Sequence, residues 1–478
     1  METTNWIGYL IYLGIAGFYL AGIIAIIHVI MNGRTAQGTV AWVIALLEMP
    51  FISLPLYLAI GGHRFWGYVK ARRSGNTALH HVVDELVRSS ENMELVCDAP
   101  LAIRDIIDTL IRYPVTKGNH VELLINGEET FRSIFEAIDA ARDYILIQFY
   151  IIRNDHLGKR LQAKLIERAR EGVRICFLYD EIGCFALPGR YLRKLERAGI
   201  AVSGFKTARG WAHPLRINFR NHRKIVIVDG KTAFAGGLNV GDEYLGKSSI
   251  GFWRDTHLKL EGPCVHILQL TFCEDWYWAT HQVPQLDWQP RKVDGHDQHV
   301  LPVPSGPADQ METCSLFFVQ AINSAQRRLW IVSPYFVPDE QVMTALQLAA
   351  LRGVDVRVML PEKADHVLVY LSSWSYYEQA EQAGVKIYRY RKGFLHQKVM
   401  LIDDDYATVG TANLDNRSFR INFEITLLVL NREFSRQVEA MLEEDFRHST
   451  LIQADEYTRK PFWYRLAVRS ARLLSPLQ

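Results

Sequence analysis

The chain has 478 residues, 49% hydrophobic and 22% charged, with a formal net charge of +2. That length exceeds one ordinary core and predicts two or three domains, and the ordinary charge content excludes a mainly disordered chain. The near-neutral sum argues against a protein built on bulk nucleic-acid affinity, so no nucleic-acid partner is expected. The six cysteines include no C-x-x-C pair, and Cys176 lies inside an apolar run. Reduced, mostly buried thiols are therefore expected, without a disulfide framework or a zinc cluster.

Two apolar runs open the chain, at about 8–31 and 39–60, separated by Asn32-Gly33-Arg34. Each matches the roughly 20 residues that a membrane-crossing helix needs, which predicts a two-helix anchor over 1–65. A cleaved signal sequence fits less well, because no basic region precedes the first run and a second follows at once. Basic residues after the second run (His63, Arg64, Lys70, Arg72, Arg73), against Arg34 in the loop, place the rest of the chain on the cytoplasmic side. Trp6, Trp42, Phe65 and Trp66 flank the spans as interfacial aromatics do. Glu48 is costly at mid-span, so a helix partner or protonation is expected for it, and Pro50 and Pro55 predict a kink.

After a juxtamembrane segment over 66–115, strands alternate with helical stretches. Tyr144–Ile151 reads as a buried strand, Gly158–Arg170 as an amphipathic helix and Val173–Tyr179 as a strand. The pattern recurs. Ala137-Ile138 matches Ala321-Ile322 before a strand at Leu329–Val332, Gly172-Val173 matches Gly353-Val354, and Ala198-Gly199-Ile200 matches Ala383-Gly384-Val385. Two α/β units are predicted, over 116–285 and 313–455, joined by a connector over 286–312 that is rich in Pro, Gly, Asp and His.

The best-matched part of the repeat carries chemistry. The first copy reads His222-Arg223-Lys224, four apolar residues, Asp229, then Gly236-Gly237-Leu238-Asn239. The second reads His396-Gln397-Lys398, four residues, Asp403, then Gly410-Thr411-Ala412-Asn413. Apolar flanks predict strands, on which side chains two apart share a face, so each His projects with its Lys. Asp229 and Asp403 have the opposite parity and read as turn-fixing or supporting groups. A phosphodiester needs cations and donors around its oxygens, which Lys224, Lys398, Asn239 and Asn413 supply. A neutral imidazole can attack phosphorus while a second, protonated one donates to the leaving alkoxide. Metal binding fits poorly, since a Lys ammonium beside the His opposes a cation. Each copy has an acid downstream, Asp255 and Glu424, able to fix an imidazole tautomer or to serve as an ordinary surface carboxylate. Gly241–Ser248 fits a nucleotide P-loop pattern, but it places Asp242 and Glu243 where phosphates would lie, so no ATP is expected.

These paired motifs resemble the phospholipase D superfamily over roughly Val121 to Leu451, and within it the bacterial cardiolipin synthases. Asn221–Lys224, Gly236–Tyr244, Gly410–Asp415 and Arg417-Ser418 carry that resemblance. It implies two tandem α/β sandwich domains sharing one active site. The activity it implies is condensation of two phosphatidylglycerols into cardiolipin and glycerol, with His222 attacking and His396 as acid and base. It also implies that the downstream carboxylate of one half supports the His of the other. Exchange of one phosphodiester for another needs no energy cofactor, so neither cofactor nor metal is expected. In the tail, 456–478, Trp463, Leu466, Leu473 and Leu477 fall on one helical side and Arg465, Arg469 and Arg472 on another. An anionic membrane surface is the expected partner of that helix, with docking on its own domain as the other reading. A phospholipase D-type hydrolase, a phosphatidylserine synthase, a superfamily nuclease and a non-catalytic membrane scaffold are the competing functions.

Overall fold

The computed structural model describes residues 2–33, 35–61, 68–69, 95–97, 109–111, 113–205, 218–453 and 455–478. Most of the expected juxtamembrane segment and its basic flank lie outside those residues. The chain divides into two units, Met1–Gly67 with Lys206–Phe219, and Tyr68–Phe205 with Arg220–Gln478.

The first unit opens with helix α1 (Glu2–Asn32), exposing Leu13, Leu20, Ile24 and Ile27. Its stretch Gly8–Asn32 is long and apolar enough to cross a membrane, alone in this among the described residues. The expected second continuous span is instead two shorter helices, α2 (Ala36–Glu48) and α3 (Pro50–Ile60). Pro50 has no N–H to extend the ladder and bars its predecessor from helical geometry, so Met49 leaves the helix at φ −136°. Glu48 is exposed at the end of α2. Ala25, Val29, Leu46 and Tyr57 form a small core, and His28 Nδ1 lies 2.6 Å from the Tyr57 hydroxyl.

The second unit is one continuous sheet system with two cores. The first half contains β1 (Val96–Cys97), β2 (Val115–Ile125), α4 (Asn126–Ala140), β3 (Tyr144–Phe149), α5 (His156–Arg170) and β4 (Arg174–Asp180). It continues through α6 (Gly189–Arg197), β5 (Ala201–Phe205), β6 (Arg220–Asn221), β7 (Ile225–Val228) and β8 (Thr232–Gly236). It closes with β9 (Trp253–Arg254), β10 (Thr256–Glu261) and α7 (Cys264–Thr280). Its strand order is β5-β4-β3-β7-β8-β10-β2, with β3, β4 and β5 parallel. Tyr144 to Phe149 is buried at every residue, as parallel strands with both faces covered must be.

After β11 (Gln298–Ser305), the second half comprises α8 (Thr313–Ser324), β12 (Arg328–Val332), β13 (Phe336–Val337), α9 (Glu340–Leu351) and β14 (Asp355–Pro361). Next come α10 (Val367–Gln382), β15 (Lys386–Tyr390), β16 (Phe394–Leu395), β17 (Val399–Ile402) and β18 (Tyr406–Gly410). The half ends with β19 (Leu414–Asp415), α11 (Asn416–Arg420), β20 (Asn422–Leu430), α12 (Arg432–Arg447) and β21 (Ser449–Leu451). Its order, β15-β14-β12-β17-β18-β20-β11, repeats the first half element for element. The two sheets join where β2 pairs antiparallel with β11. The expected connector thus contains a core strand rather than only a loop.

Asp229 and Asp403 occupy one position in the two halves, at φ 52° and 49° in the β7–β8 and β17–β18 hairpins. The Asp229 carboxylate accepts from the N–H groups of Arg142, Asp143 and Tyr144 at 2.8–2.9 Å. Asp403 takes those of Gln326, Arg327 and Arg328 at 2.8–3.0 Å. Each ties its hairpin to the turn between a helix and a central strand, and neither bonds an imidazole. Asp229→Ala should cost about 2 kcal/mol and lower the thermal midpoint, whereas Asp229→Asn should keep part of the clamp. Equal midpoints for Asp229→Ala and the parent would contradict this role.

The C-terminal helix α13 (Phe462–Arg472) packs on α10 through Val468, Ala471 and Tyr464, whose ring lies 6.0 Å from that of Trp374. Phe462, Trp463, Leu466, Leu473 and Leu474 remain exposed on its outer side, while Leu477 falls in the turn beyond the helix.

Candidate active site

Two short parallel pairings bring the motifs together. β6 pairs with the start of β20, Arg220 opposite Asn422 and Asn221 opposite Phe423. β16 pairs with β9, Phe394 opposite Trp253 and Leu395 opposite Arg254. Each pairing ends in the same bond: His222 N–H donates to Phe423 O at 2.9 Å, and His396 N–H to Arg254 O at 2.8 Å. The residue after each accepting carbonyl is a carboxylate of the opposite half, Glu424 or Asp255. The motif triplets themselves are extended run-ins to β7 and β17, not parts of those strands.

His222 Nδ1 lies 2.9 and 3.0 Å from the two Glu424 oxygens, and His396 Nδ1 lies 2.6 Å from Asp255 Oδ2. The carboxylates are thus crossed between halves. Both are fully buried. Glu424 also accepts from Thr411 Oγ1 at 2.5 Å and Asn422 Nδ2 at 3.1 Å, and Asp255 from the Thr256 N–H at 2.7 Å. Burial pushes the Glu424 carboxyl up, but the adjacent His222, Lys224 and Thr411 outweigh it and hold it down at about 2. Asp255 is likewise held low by Lys398 and His396 against its burial. Burial lowers His222 to about 4 despite Glu424, and lowers His396 in the same direction, aided by Lys398. Both rings are therefore neutral at neutral pH. With Nδ1–H donated to an ionised carboxylate, each Nε2 carries the lone pair. Lys398 Nζ also stands 2.9 Å from His396 Nδ1, but that N–H is committed to the shorter, charged bond with Asp255.

The ammoniums are buried as well. Lys224 donates to His222 O at 2.5 Å, and Lys398 to His396 O. Burial lowers Lys224 well below its ordinary value and brings Lys398 down to about 8, against the pull of Asp255 and Glu424. An anion placed between them would favour the charged form of both. The Asn239 amide accepts from Ile151 N–H at 3.1 Å and donates to the Tyr244 hydroxyl at 3.2 Å. Asn413 Nδ2 donates to Asp415 Oδ2 at 3.2 Å, and its Oδ1 is buried without a partner among the described residues. Among the described residues, no cluster of three or more His, Cys, Asp or Glu could hold a metal ion.

Residues that the sequence did not single out complete the walls. The Tyr150 ring stands edge-on to His222 at 4.9 Å, and Tyr244 and Trp253 flank His396 at 5.9 and 5.1 Å. Arg223, between His222 and Lys224, turns to the other side. There it bonds both Asp275 oxygens at 2.9 Å and the Glu424 carbonyl at 3.0 Å. Gln397, at the matching position, donates to Asp445, which also holds Arg254 of the first half. Each motif is thus braced from behind by a buried polar network. Gly237 matches Thr411, and a Cβ at Gly237 would lie 2.0 Å from Asp255 Oδ1. The shorter acid sits where the second half has a threonine. The P-loop-like acids serve the fold: Asp242 accepts from Leu157 N–H and Glu243 pairs with Arg153 at 2.7 Å.

The model of the cardiolipin synthase, PLD-like domain family matches residues 134–249 and 318–446, and that of the phospholipase D-nuclease N-terminal family matches 20–62. The chain is 47% identical to cardiolipin synthase A of Pseudomonas aeruginosa over 486 residues, covering 100% of this chain and 97% of that protein. Its counterpart in Pseudomonas putida is 48% identical over 474 residues, covering 96% of each. Among solved structures, the phosphatidylserine synthase of Haemophilus influenzae superposes with a TM-score of 0.57 at 15% identity, covering 75% of this chain and 95% of that one. At that identity the likeness is one of fold. The matched domains, the full-length relatives and the paired half-sites together show that this chain belongs to the cardiolipin synthase family of phospholipase D-like enzymes.

Proposed function

We propose that this chain condenses two phosphatidylglycerols into cardiolipin and glycerol through a phosphatidyl-histidine on His222. The observation that carries this reading is the crossed pair of imidazoles, each with Nδ1 held by a buried carboxylate of the opposite half. His222 Nε2 attacks the donor phosphorus, while Lys224 and Lys398 offset charge on the phosphoryl oxygens, helped by the spare N–H of Asn239 and of Asn413. A bound phosphodiester anion raises the proton affinity of His396, which protonates the departing glycerol oxygen. His396, now neutral, takes the proton of the incoming lipid hydroxyl, and the new phosphodiester forms as the P–N bond breaks. Bonds broken and formed are alike, so the exchange is reversible and needs no energy cofactor.

Helix α1 and the synthase relatives associate the chain with a membrane. In the fuller reading, α2 and α3 together make a second, kinked crossing, and the basic flank after them puts the catalytic unit on the cytoplasmic side. The outer side of α13, with Phe462, Trp463 and Leu466 beside exposed Arg465 and Arg469, suits an anionic bilayer surface, while Arg472 turns inward over the Tyr376 ring.

Purified enzyme with phosphatidylglycerol as sole lipid and chelator present should yield cardiolipin and glycerol, and added glycerol should slow or reverse net synthesis. Phosphatidic acid as the main product would instead establish the hydrolase. Phosphatidylserine formed on adding a cytidine-diphosphate lipid and serine, without cardiolipin, would establish the serine-transferring reading.

A further inference from the structure

The halves present matching catalytic groups but different flanks. Two residues before the motif His stands Arg220 in the first half and Phe394 in the second; on an extended segment these share the face of the imidazole. Phe394 is fully buried against Trp253, 4.7 Å between ring centres. Four residues after the motif Asn stands Glu243 in the first half, paired with Arg153, and Arg417 in the second. The β6–β20 pairing, with Arg220 opposite Asn422, brings Arg220 and Arg417 to one side of the site, near Tyr150, whose ring meets His222 at 4.9 Å. Arg417 is fixed from behind: its N–H donates to Gln478 O at 2.8 Å and its guanidinium to Leu477 O at 3.1 Å. Asp180, which accepts from Asn221 N–H at 2.8 Å, offsets part of the local charge, and Asp415 offsets more. The two guanidiniums repel each other, and Arg417 is lowered by its burial and then by Arg220. The His222 flank is thus rich in cations, while the His396 flank is aromatic.

A synthase faces a problem that a hydrolase does not: its acceptor brings a second phosphodiester, three carbons from the attacking hydroxyl. We propose that Arg220 and Arg417, one from each half, form an acceptor subsite that binds this second anionic phosphate. The inference rests on the transferase reading above. With the acceptor so held, its hydroxyl oxygen bonds the phosphorus on His222. The P–Nε2 bond breaks with its electron pair returning to the ring, and the hydroxyl proton passes to His396 Nε2. Guanidiniums suit the task because each offers paired donors to phosphate oxygens.

The test is competition between two soluble acceptors for phosphatidyl-enzyme formed from phosphatidylglycerol: isotopically labelled glycerol, which is neutral, and labelled sn-glycerol 3-phosphate, which is anionic. The ratio of the two labelled lipid products is internal to each sample and so independent of how much enzyme is folded. The parent enzyme should favour the anionic acceptor. Arg220→Met and Arg417→Met should each cut that preference about tenfold, and Arg417→Lys should restore part of it. An unchanged ratio in both methionine variants would overturn the subsite and leave the arginines a structural role, as would a parent enzyme without preference. If the parent incorporates neither acceptor, the transferase reading itself fails, and the subsite with it.

Discussion

His222→Ala and His396→Ala should each lower turnover by about 10⁴-fold or more, with the fold retained. Both imidazoles are buried and each has one nitrogen committed to a carboxylate, so neither is replaceable by solvent. The expected loss is alike because the two act as one unit across the same phosphorus. The double variant should therefore be little worse than either single one. Steady-state cardiolipin formation, with circular dichroism as the control for folding, checks this. Substantial activity in His222→Ala would remove it as the attacking group.

Glu424→Gln and Asp255→Asn should cost about 10²–10⁴-fold in kcat with far less change in KM. The amide can offer an N–H to Nδ1, which favours the tautomer with its proton on Nε2 and removes the lone pair from the reacting side. Glu424 also raises the proton affinity of His222, so its loss should move the acid limb of the kcat/KM profile to lower pH. A merely structural carboxylate would lower activity without moving that limb. Gly237→Ala should mimic Asp255→Asn in part, because the added carbon would displace the Asp255 oxygen.

The repeat and the chemistry of the motifs were legible in the sequence because function demands those residue types at fixed spacing. Strand parity separated Asp229 and Asp403 from the imidazoles, and the structure shows why: each must reach back to the turn before a central strand. The pairing of each acid with the opposite imidazole was not legible from the residues themselves. It depends on the β6–β20 and β9–β16 contacts, which join segments far apart in the chain. β11 was hidden by Pro302 and Pro304, which read as loop. Both lie past the short β2 pairing, where the strand is bonded on the β20 side alone and a missing N–H costs little. The broken second span was signalled by Pro50, whose effect was read as a kink rather than an interruption. The cationic flank escaped because Arg220 and Arg417 belong to different copies, and only the fold sets them on one side.

In the proposed mechanism one site, built from both halves, carries the phosphatidyl group on His222. Its most direct test is mass spectrometry of proteolysed His396→Ala enzyme, quenched after mixing with a phosphatidyl donor whose leaving group needs no proton. A phosphatidyl adduct is expected on the peptide containing His222, and none in His222→Ala treated alike. An adduct on the His396 peptide of His222→Ala, with none on His222 in its counterpart, would contradict it.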